Sequence, residues 1–535
     1  MTKLQLGSII SGSLTEGFLM RVSSSIPLDR LKAGKFVVIE GPHCRFFSLV
    51  TDLTLQVTYP EIVLFPPTDQ ESVLQELLLE RDMYATATIR PILSLSSANK
   101  LGQVKTLPSP FSGVFEANQH DIELIFGNEG HPSKRYFSIG SPVDLPVPVC
   151  LDLERVAERS NGIFGKTGTG KTFLTRLVLA GLLKTEKAVT LVFDMHSEYG
   201  LQARAEGIGQ TFVKGLKVLF PDKIAIFSLD PASTRRRGGM PDVELTLAYQ
   251  SIRVEDILSL HYELNLTTTA CEAASLLAAK HKREWLKVLL NSGDRLKECA
   301  QEVGAHPESV AALYRKLKQL ERFTFLKQDL SVSTRHDVIE QMIEYLDRGV
   351  SVIIEFGNFT STLCYLLIAN IITRRIHARY IEKTEKFLGS HQKHDEPKKL
   401  IIAIEEAHKF LNPQAARQTI FGVIAREMRK YYVSLLVIDQ RPSSIDAEVL
   451  SQIGTKVIAQ LNDEKDIQAV LTGTSNSSYL RTVLTSLDSK KQVLLTGHAI
   501  PMPIVIETRN YDEEFYKSIS YVSQAKTQKI VQELF

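Results

Sequence analysis

One short stretch, Gly162 to Thr175 (GIFGKTGTGKTFLT), constrains this chain more than any other. Gly165, Gly168 and Gly170 let backbone N–H groups turn inward onto an anion without side-chain collision. An apolar run, NGIF, precedes the loop and an amphipathic run, TFLTRLVLAGLL, follows it. The loop therefore joins a strand to the positive end of a helix, which demands an α/β unit. Gly165-Lys166-Thr167-Gly168-Thr169-Gly170-Lys171-Thr172 satisfies G-x-x-x-x-G-K-[ST] in full. In such a loop Lys171 neutralises the β- and γ-phosphates of ATP, and Thr172 offers its hydroxyl to Mg²⁺.

From about Leu151 onward the chain alternates apolar runs with helical spacing. Candidate strands are AVTLVFD (188–194), KIAIFSL (223–229), SVIIEF (351–356), KLIIAIE (399–405), LLVID (435–439), KVIAQL (456–461) and QVLLTG (492–497). Runs of Val, Ile and Leu without alternation mean strands covered on both faces, so the sheet is expected to be mainly parallel. Residues 254–340 lack such runs, are rich in Ala, Leu, Lys and Glu, and hold the single tryptophan, Trp285. They read as a helical insertion in this core.

The first ~145 residues differ: FLMRV, KFVVIEG and RFFSLVTDLTLQV are short β-branched and aromatic runs between Gly, Pro and Asp. They predict a small barrel or sandwich, with the Pro-rich SPVDLPVPV (141–149) as the linker out of it. The expected organisation is a β-barrel at 1–148, the α/β core at 149–253 and 341–510, the insertion at 254–340 and a tail at 511–535.

A phosphate loop needs an acid at the end of a second strand. KLIIAIEEAHKF ends in Glu405 and Glu406, adjacent residues that point in different directions at a strand end. Glu405 is assigned to the Mg²⁺ shell and Glu406 to polarising the attacking water. Gln440, just past the LLVID strand, can donate to a γ-phosphate oxygen and accept from that water; the alternative is an ordinary polar loop residue. The helix AREMRKYY carries Arg426, Arg429 and Lys430, where an arginine could stabilise transition-state charge from a neighbouring subunit. Solvated cations at a helix end are the competing reading.

A net charge of +2 gives no whole-chain signature of nucleic-acid binding, so any basic surface must be local. Arg235, Arg236 and Arg237 in STRRRGG form such a cluster, read either as a flexible DNA-contacting loop or as a solvated surface loop. Five unpaired-looking cysteines and no secretory leader or long apolar span suit a cytoplasmic chain; Leu363 to Ile372 is too short for a bilayer and reads as a buried helix.

Taken in order, GIFGKTGTGKT, DMHSEYG, IEEAHKFLNP, AREMRKYY, DQRPS and GHAIPMPIVIETR resemble the landmarks of the HerA family of ring-forming ATPases, relatives of the FtsK DNA pumps. The early LGSIISGSLTEGFLMRV and GKFVVIEG resemble the small HAS-type barrel that precedes the ATPase core in that family. The resemblance implies a RecA-like P-loop core and a homo-hexameric, ATP-driven translocase on double-stranded DNA, coupled to a nuclease such as NurA docked on the barrel side. It maps Lys171 and Thr172 onto the cradle, Glu406 onto the catalytic acid, Gln440 onto the sensor, and Arg429 or Arg426 onto the trans arginine. It places Asp194, His196 and Glu198 near the nucleotide as supporting polar residues, although D-x-H-x-E taken alone could also suggest a metal site. Position 405 departs from the Asp common in P-loop enzymes. Two other classes compete: an ATP-gated scaffold that assembles a nuclease or effector, for repair or phage defence, and a conjugation- or secretion-type ATPase.

Overall fold

The computed structural model describes residues 3–58, 83–97, 100–143, 145–204, 212–329, 337–417, 419–474, 477–488 and 491–519. They fall into two compact units. One comprises residues up to Asp152 with 165–170 and 455–509; the other comprises 153–164, 171–454 and the chain from Asn510.

In the first unit, strands Gly17–Val22, Gln5–Ser13, Gly113–Glu116, Phe36–Glu40, Cys44–Val57 and Met83–Ser96 pair in that order, and Met83–Ser96 pairs back onto Gly17–Val22. That last pairing closes a six-strand barrel, flanked by Leu101–Gln103. Register shifts at Phe47/Ser48 and Val50/Asp52 bend the long strand pair, as closure requires. Alternate residues, among them Leu6, Phe18, Met20, Val37, Ile39, Phe46 and Ile89, fill the interior. The helix Gln119–Phe126 begins with a reciprocal cap between Asn118 and Asp121, and its Phe126 meets Phe36 edge-on at 6.4 Å.

The Pro-rich stretch 141–149 differs from a free linker. Tyr136–Pro142 and Val149–Asp152 are antiparallel strands in register Gly140↔Val149; Pro142 ends the first, and Pro146 and Pro148 lie in the connection, where a missing N–H costs no ladder bond. Thr455–Ile458, Gln492–Gly497 and Ile504–Thr508 join them, all antiparallel. The runs 456–461 and 492–497 thus leave the parallel pattern that their composition suggested. Apolar continuity reports burial on both faces and carries no information on strand direction.

In the second unit the order is Val243–Glu244, Ile224–Ser228, Ser351–Glu355, Val189–Asp194, Leu400–Glu405, Val433–Asp439, Asn161–Phe164, and every pairing is parallel. The chain belongs to the α/β class with a mainly parallel sheet. Parallel pairing aligns all C-terminal strand ends on one edge, where Asp194, Glu355, Glu405 and Asp439 terminate four neighbouring strands. Between 254 and 330 lie the helices Thr268–His281, Trp285–Asn291, Leu296–Val303 and Pro307–Leu317. Buried Trp285 donates to the Ile252 carbonyl at 3.1 Å. Leu363 to Ile372 forms the buried first third of the helix Thr362–Ser390. No helix among the described residues is long and apolar enough to cross a membrane.

Candidate active site

The loop 165–170 has the geometry its glycines foretell. Gly168 and Gly170 sit at φ +80° and +85°, where a side chain is strained. A Cβ on Gly165 would stand 2.8 Å from both Ala459 Cβ and Thr169 Oγ1, so only glycine fits. Thr169 donates to the Lys166 carbonyl at 2.7 Å, and the Lys166 N–H donates to the Gln460 carbonyl at 3.1 Å. These bonds brace the turn against the end of a neighbouring strand. The next residue, Lys171, begins the 15-residue helix Lys171–Thr185.

In the second unit the polar residues form two groups. The first is centred on Asp194. Its two oxygens accept the N–H groups of Glu198 (2.8 Å) and Tyr199 (2.9 Å), which tightens the D-M-H-S-E-Y turn. Glu198 Oε2 accepts the Thr172 hydroxyl at 3.0 Å, and Tyr199 donates its hydroxyl to Glu405 Oε1 at 2.5 Å. The Tyr365 hydroxyl donates to the Glu405 carbonyl and accepts the Glu405 N–H, both at 3.2 Å. The second Glu405 oxygen is buried with no hydrogen-bond partner among the described residues. His196 is exposed in the turn.

Burial, with Glu355 adding to it, pushes the Asp194 carboxyl up to about 7. Burial first, and then Asp194, Glu198 and Glu406, push Glu405 up to about 8, although the Tyr199 hydroxyl opposes the shift. Carboxyls buried and crowded in this way favour their neutral forms, and a divalent ion arriving among them would draw out the charged forms. Among the described residues no three His, Cys, Asp or Glu side chains converge as a metal cage. The arrangement fits Mg²⁺, which takes few protein ligands and fills its octahedron with phosphate and water oxygens.

The second group surrounds Glu406. This residue sits at φ +48°, so its side chain leaves the strand in a different direction from that of Glu405. Gln440 Nε2 donates to Glu406 Oε1 at 3.0 Å, bringing together two residues 34 positions apart. His408 Nε2 lies 3.8 Å from Glu406 Oε2, while its Nδ1 meets buried Asp439 at 3.0 Å. Asp439 also accepts the His408 N–H (2.7 Å) and the Arg441 N–H (2.7 Å). The bond to Asp439 raises the His408 pKa, and Asp439 thereby fixes the ring beside Glu406. Reading the sequence assigned no role to His408 or Asp439. The available signal was a histidine two residues beyond the acid, in EEAH.

Not every candidate joins these groups. Arg426 donates to the Ala416 carbonyl at 3.0 Å and lines a cleft of about 160 Å³ with Glu158, Arg159, Ser160, Ser434 and Gln452. That cleft includes Val433, the first residue of the strand whose last residue is Asp439. Six strand steps at ~3.3 Å put roughly 20 Å between the two ends, so Arg426 does not reach Glu406 of its own chain. Arg429 belongs by its backbone to the short turn Met428–Tyr431, and its side chain lies outside the described residues. Lys430 pairs with Glu427 at 3.5 Å on the surface.

The STRRRGG segment differs from a flexible loop. Pro231–Arg236 is helical, capped by Asp230, whose carboxylate accepts the Ser233 N–H at 3.0 Å. Asp-Pro at the N-terminus supplies a cap and a pre-set φ, which outweigh the glycines that follow. Arg235 pairs with Glu244 and Arg237 with fully buried Glu355, each at 2.6 Å. Arg236 is exposed and forms no ion pair among the described residues.

The model of the family described as "Helicase HerA, central domain" matches residues 137–376, a span that holds the phosphate loop, Asp194 and Glu198. A DNA double-strand break repair helicase HerA of Saccharolobus solfataricus is 23% identical over 94% of this chain and 91% of its own length. The protein of the same description from Pyrococcus furiosus is 22% identical over 75% and 73%. The chain is thus similar to the HerA family, through the matched central domain and, at low identity, over most of its length. Among solved structures, VirB4 of Thermoanaerobacter pseudethanolicus covers 71% of this chain and 98% of its own at 14% identity and a TM-score of 0.45. The conjugative coupling protein TrwB covers 68% and 86% at 11% identity and 0.44.

Proposed function

We propose that this HerA-like chain is an ATP-hydrolysing motor that moves along double-stranded DNA as a homo-hexameric ring. The observation that carries the chemistry is the 3.0 Å bond between Gln440 and Glu406 at the sheet edge where neighbouring strands end in acids. Glu406 takes the proton of a water aimed at the γ-phosphate, and Gln440 holds that water's other side. Lys171 and the loop N–H groups carry the phosphate charge. Mg²⁺, held by Thr172 and Glu405, would neutralise the charge that grows on the β–γ bridge. The cleft lined by Arg159 and Arg426 opens at the opposite sheet edge and suits the terminal phosphate of a neighbouring chain, with Arg429 in the same segment. Hydrolysis then belongs to the interface, which is how a ring converts turnover into subunit movement. The names of the relatives, repair helicases, favour DNA as the track, and Arg236 is the first residue to test for backbone contact. A NurA-like nuclease on the barrel side, and a role in end processing or phage defence, complete this reading.

The test compares the native chain with Glu406→Gln, with and without long duplex DNA. The native protein forms ATP-dependent rings and its turnover rises with DNA at low salt. Glu406→Gln forms the same rings and loses turnover. Turnover indifferent to DNA at low salt overturns the motor in favour of an assembly scaffold.

A further inference from the structure

We infer that Glu198 is a positioning residue that aims the Thr172 hydroxyl at the cation carried by the nucleotide; this rests on the reading of the phosphate loop as an ATP site. A hydroxyl has one proton and two lone pairs, and the acceptor of the proton decides where the lone pairs point. Thr172 donates its proton to Glu198 Oε2 at 3.0 Å, which leaves both lone pairs turned away from that carboxylate. Thr175, three residues on in the same helix, shows the ordinary outcome: its hydroxyl donates to the Lys171 carbonyl at 2.9 Å and serves only the helix.

Glu198 is held for this task on both sides of its backbone. Its N–H donates to Asp194 Oδ1 at 2.8 Å, and its carbonyl accepts the buried guanidinium of Arg176 through Nε at 3.1 Å. Arg176 lies one helical turn beyond Thr172, so a single helix sets the register between the hydroxyl and the carboxylate that orients it. Arg176 is stacked in turn over Phe173 and Tyr511, at 5.3 and 5.8 Å from the ring centres. Tyr199, the next residue, ties the same turn to Glu405 at 2.5 Å, the second side chain assigned to the cation. The D-M-H-S-E-Y turn therefore orients both protein ligands from one anchor, Asp194. Outer partners of this kind typically change metal affinity about 10-fold or more.

The test measures Mn²⁺ binding by electron paramagnetic resonance, with the full chain and saturating ADP, and measures ADP affinity separately in EDTA. Thr172→Ala and Glu198→Ala are each expected to weaken Mn²⁺ about tenfold, and the double variant no more than Thr172→Ala alone. Glu198→Gln keeps an acceptor oxygen without the charge and falls between native and Glu198→Ala. ADP affinity without metal stays unchanged in Glu198→Ala and Glu198→Gln. A Glu198→Ala loss below twofold, or one that adds in full to that of Thr172→Ala, overturns the positioning role while the nucleotide site stands. An unchanged Mn²⁺ affinity in Thr172→Ala overturns the nucleotide–cation reading and the positioning role with it.

Discussion

The barrel and the parallel-sheet unit each bury an aspartate, and they treat it in opposite ways. In the barrel unit, Asp121 is almost wholly enclosed, yet Lys3 Nζ stands 3.3 Å away, the Arg45 guanidinium is bonded to it, and its other bonds cap a helix. In the sheet unit, Asp194 is fully buried and receives two backbone N–H groups, but its neighbours are Glu355 and Glu198 rather than cations. Glu405 keeps a buried oxygen with no partner among the described residues. An acid with its own cations holds a fold together. An acid without them is pushed toward its neutral form, and an arriving cation favours its charged form. The contrast separates an acid paired with cations of its own unit from acids that crowd together at neighbouring strand ends.

Four measurements would break or sharpen this contrast. The largest effect is expected from Glu406→Gln, which should lower ATP turnover by about 10³-fold with ADP binding retained. A turnover within tenfold of native would remove Glu406 from the chemistry. Next, Asp121→Ala should destabilise the chain by about 3 kcal/mol in urea unfolding, since Lys3 and Arg45 lose their buried partner, while turnover per folded molecule stays native. A turnover defect there would blur the division between the regions. Gln440→Ala should lower kcat about 10²-fold with little change in KM, because the amide acts on the water and not on ADP. A loss confined to KM would make Gln440 a binding residue.

The smallest effect concerns pH. Between the ordinary aspartate value of 3.8 and about 7 the unfolded chain has released the Asp194 proton and the folded chain has kept it. The folded state then binds more protons, so this group makes metal-free stability fall as pH rises through that window. Asp194→Asn should flatten the slope by up to about one proton. An unaltered slope from pH 4 to 7 would mean that Asp194 is not held protonated.

Much of this was legible in the residues, because it depends on local chemistry. The phosphate loop follows from where glycine is tolerated, and Gly168 and Gly170 take the backbone angles that only glycine adopts without strain. The strands from 189 to 194 and from 400 to 405, buried on both faces, follow from unbroken apolar runs. The different directions taken by Glu405 and Glu406 follow from adjacency at a strand end. What the residues did not disclose depends on partners distant in the chain. His408 is unremarkable until Asp439, 31 residues later, is placed beside it by the pairing of two strands. Arg237 looked like surface charge until the sheet put Glu355 within 2.6 Å.

The sequence by itself determined the chemistry on offer: a glycine-lined loop, a Lys-Thr pair, paired acids and a barrel ahead of an α/β core. Only the tertiary structure decided how that chemistry is shared. It tied Glu198 to Thr172, gave Tyr199 to Glu405 and Gln440 to Glu406, and took Arg237 for a buried ion pair. The physical reason is that loop geometry is a property of a few consecutive residues. The charge state and aim of a side chain are set by whatever the folded sheet brings within about 3 Å of it.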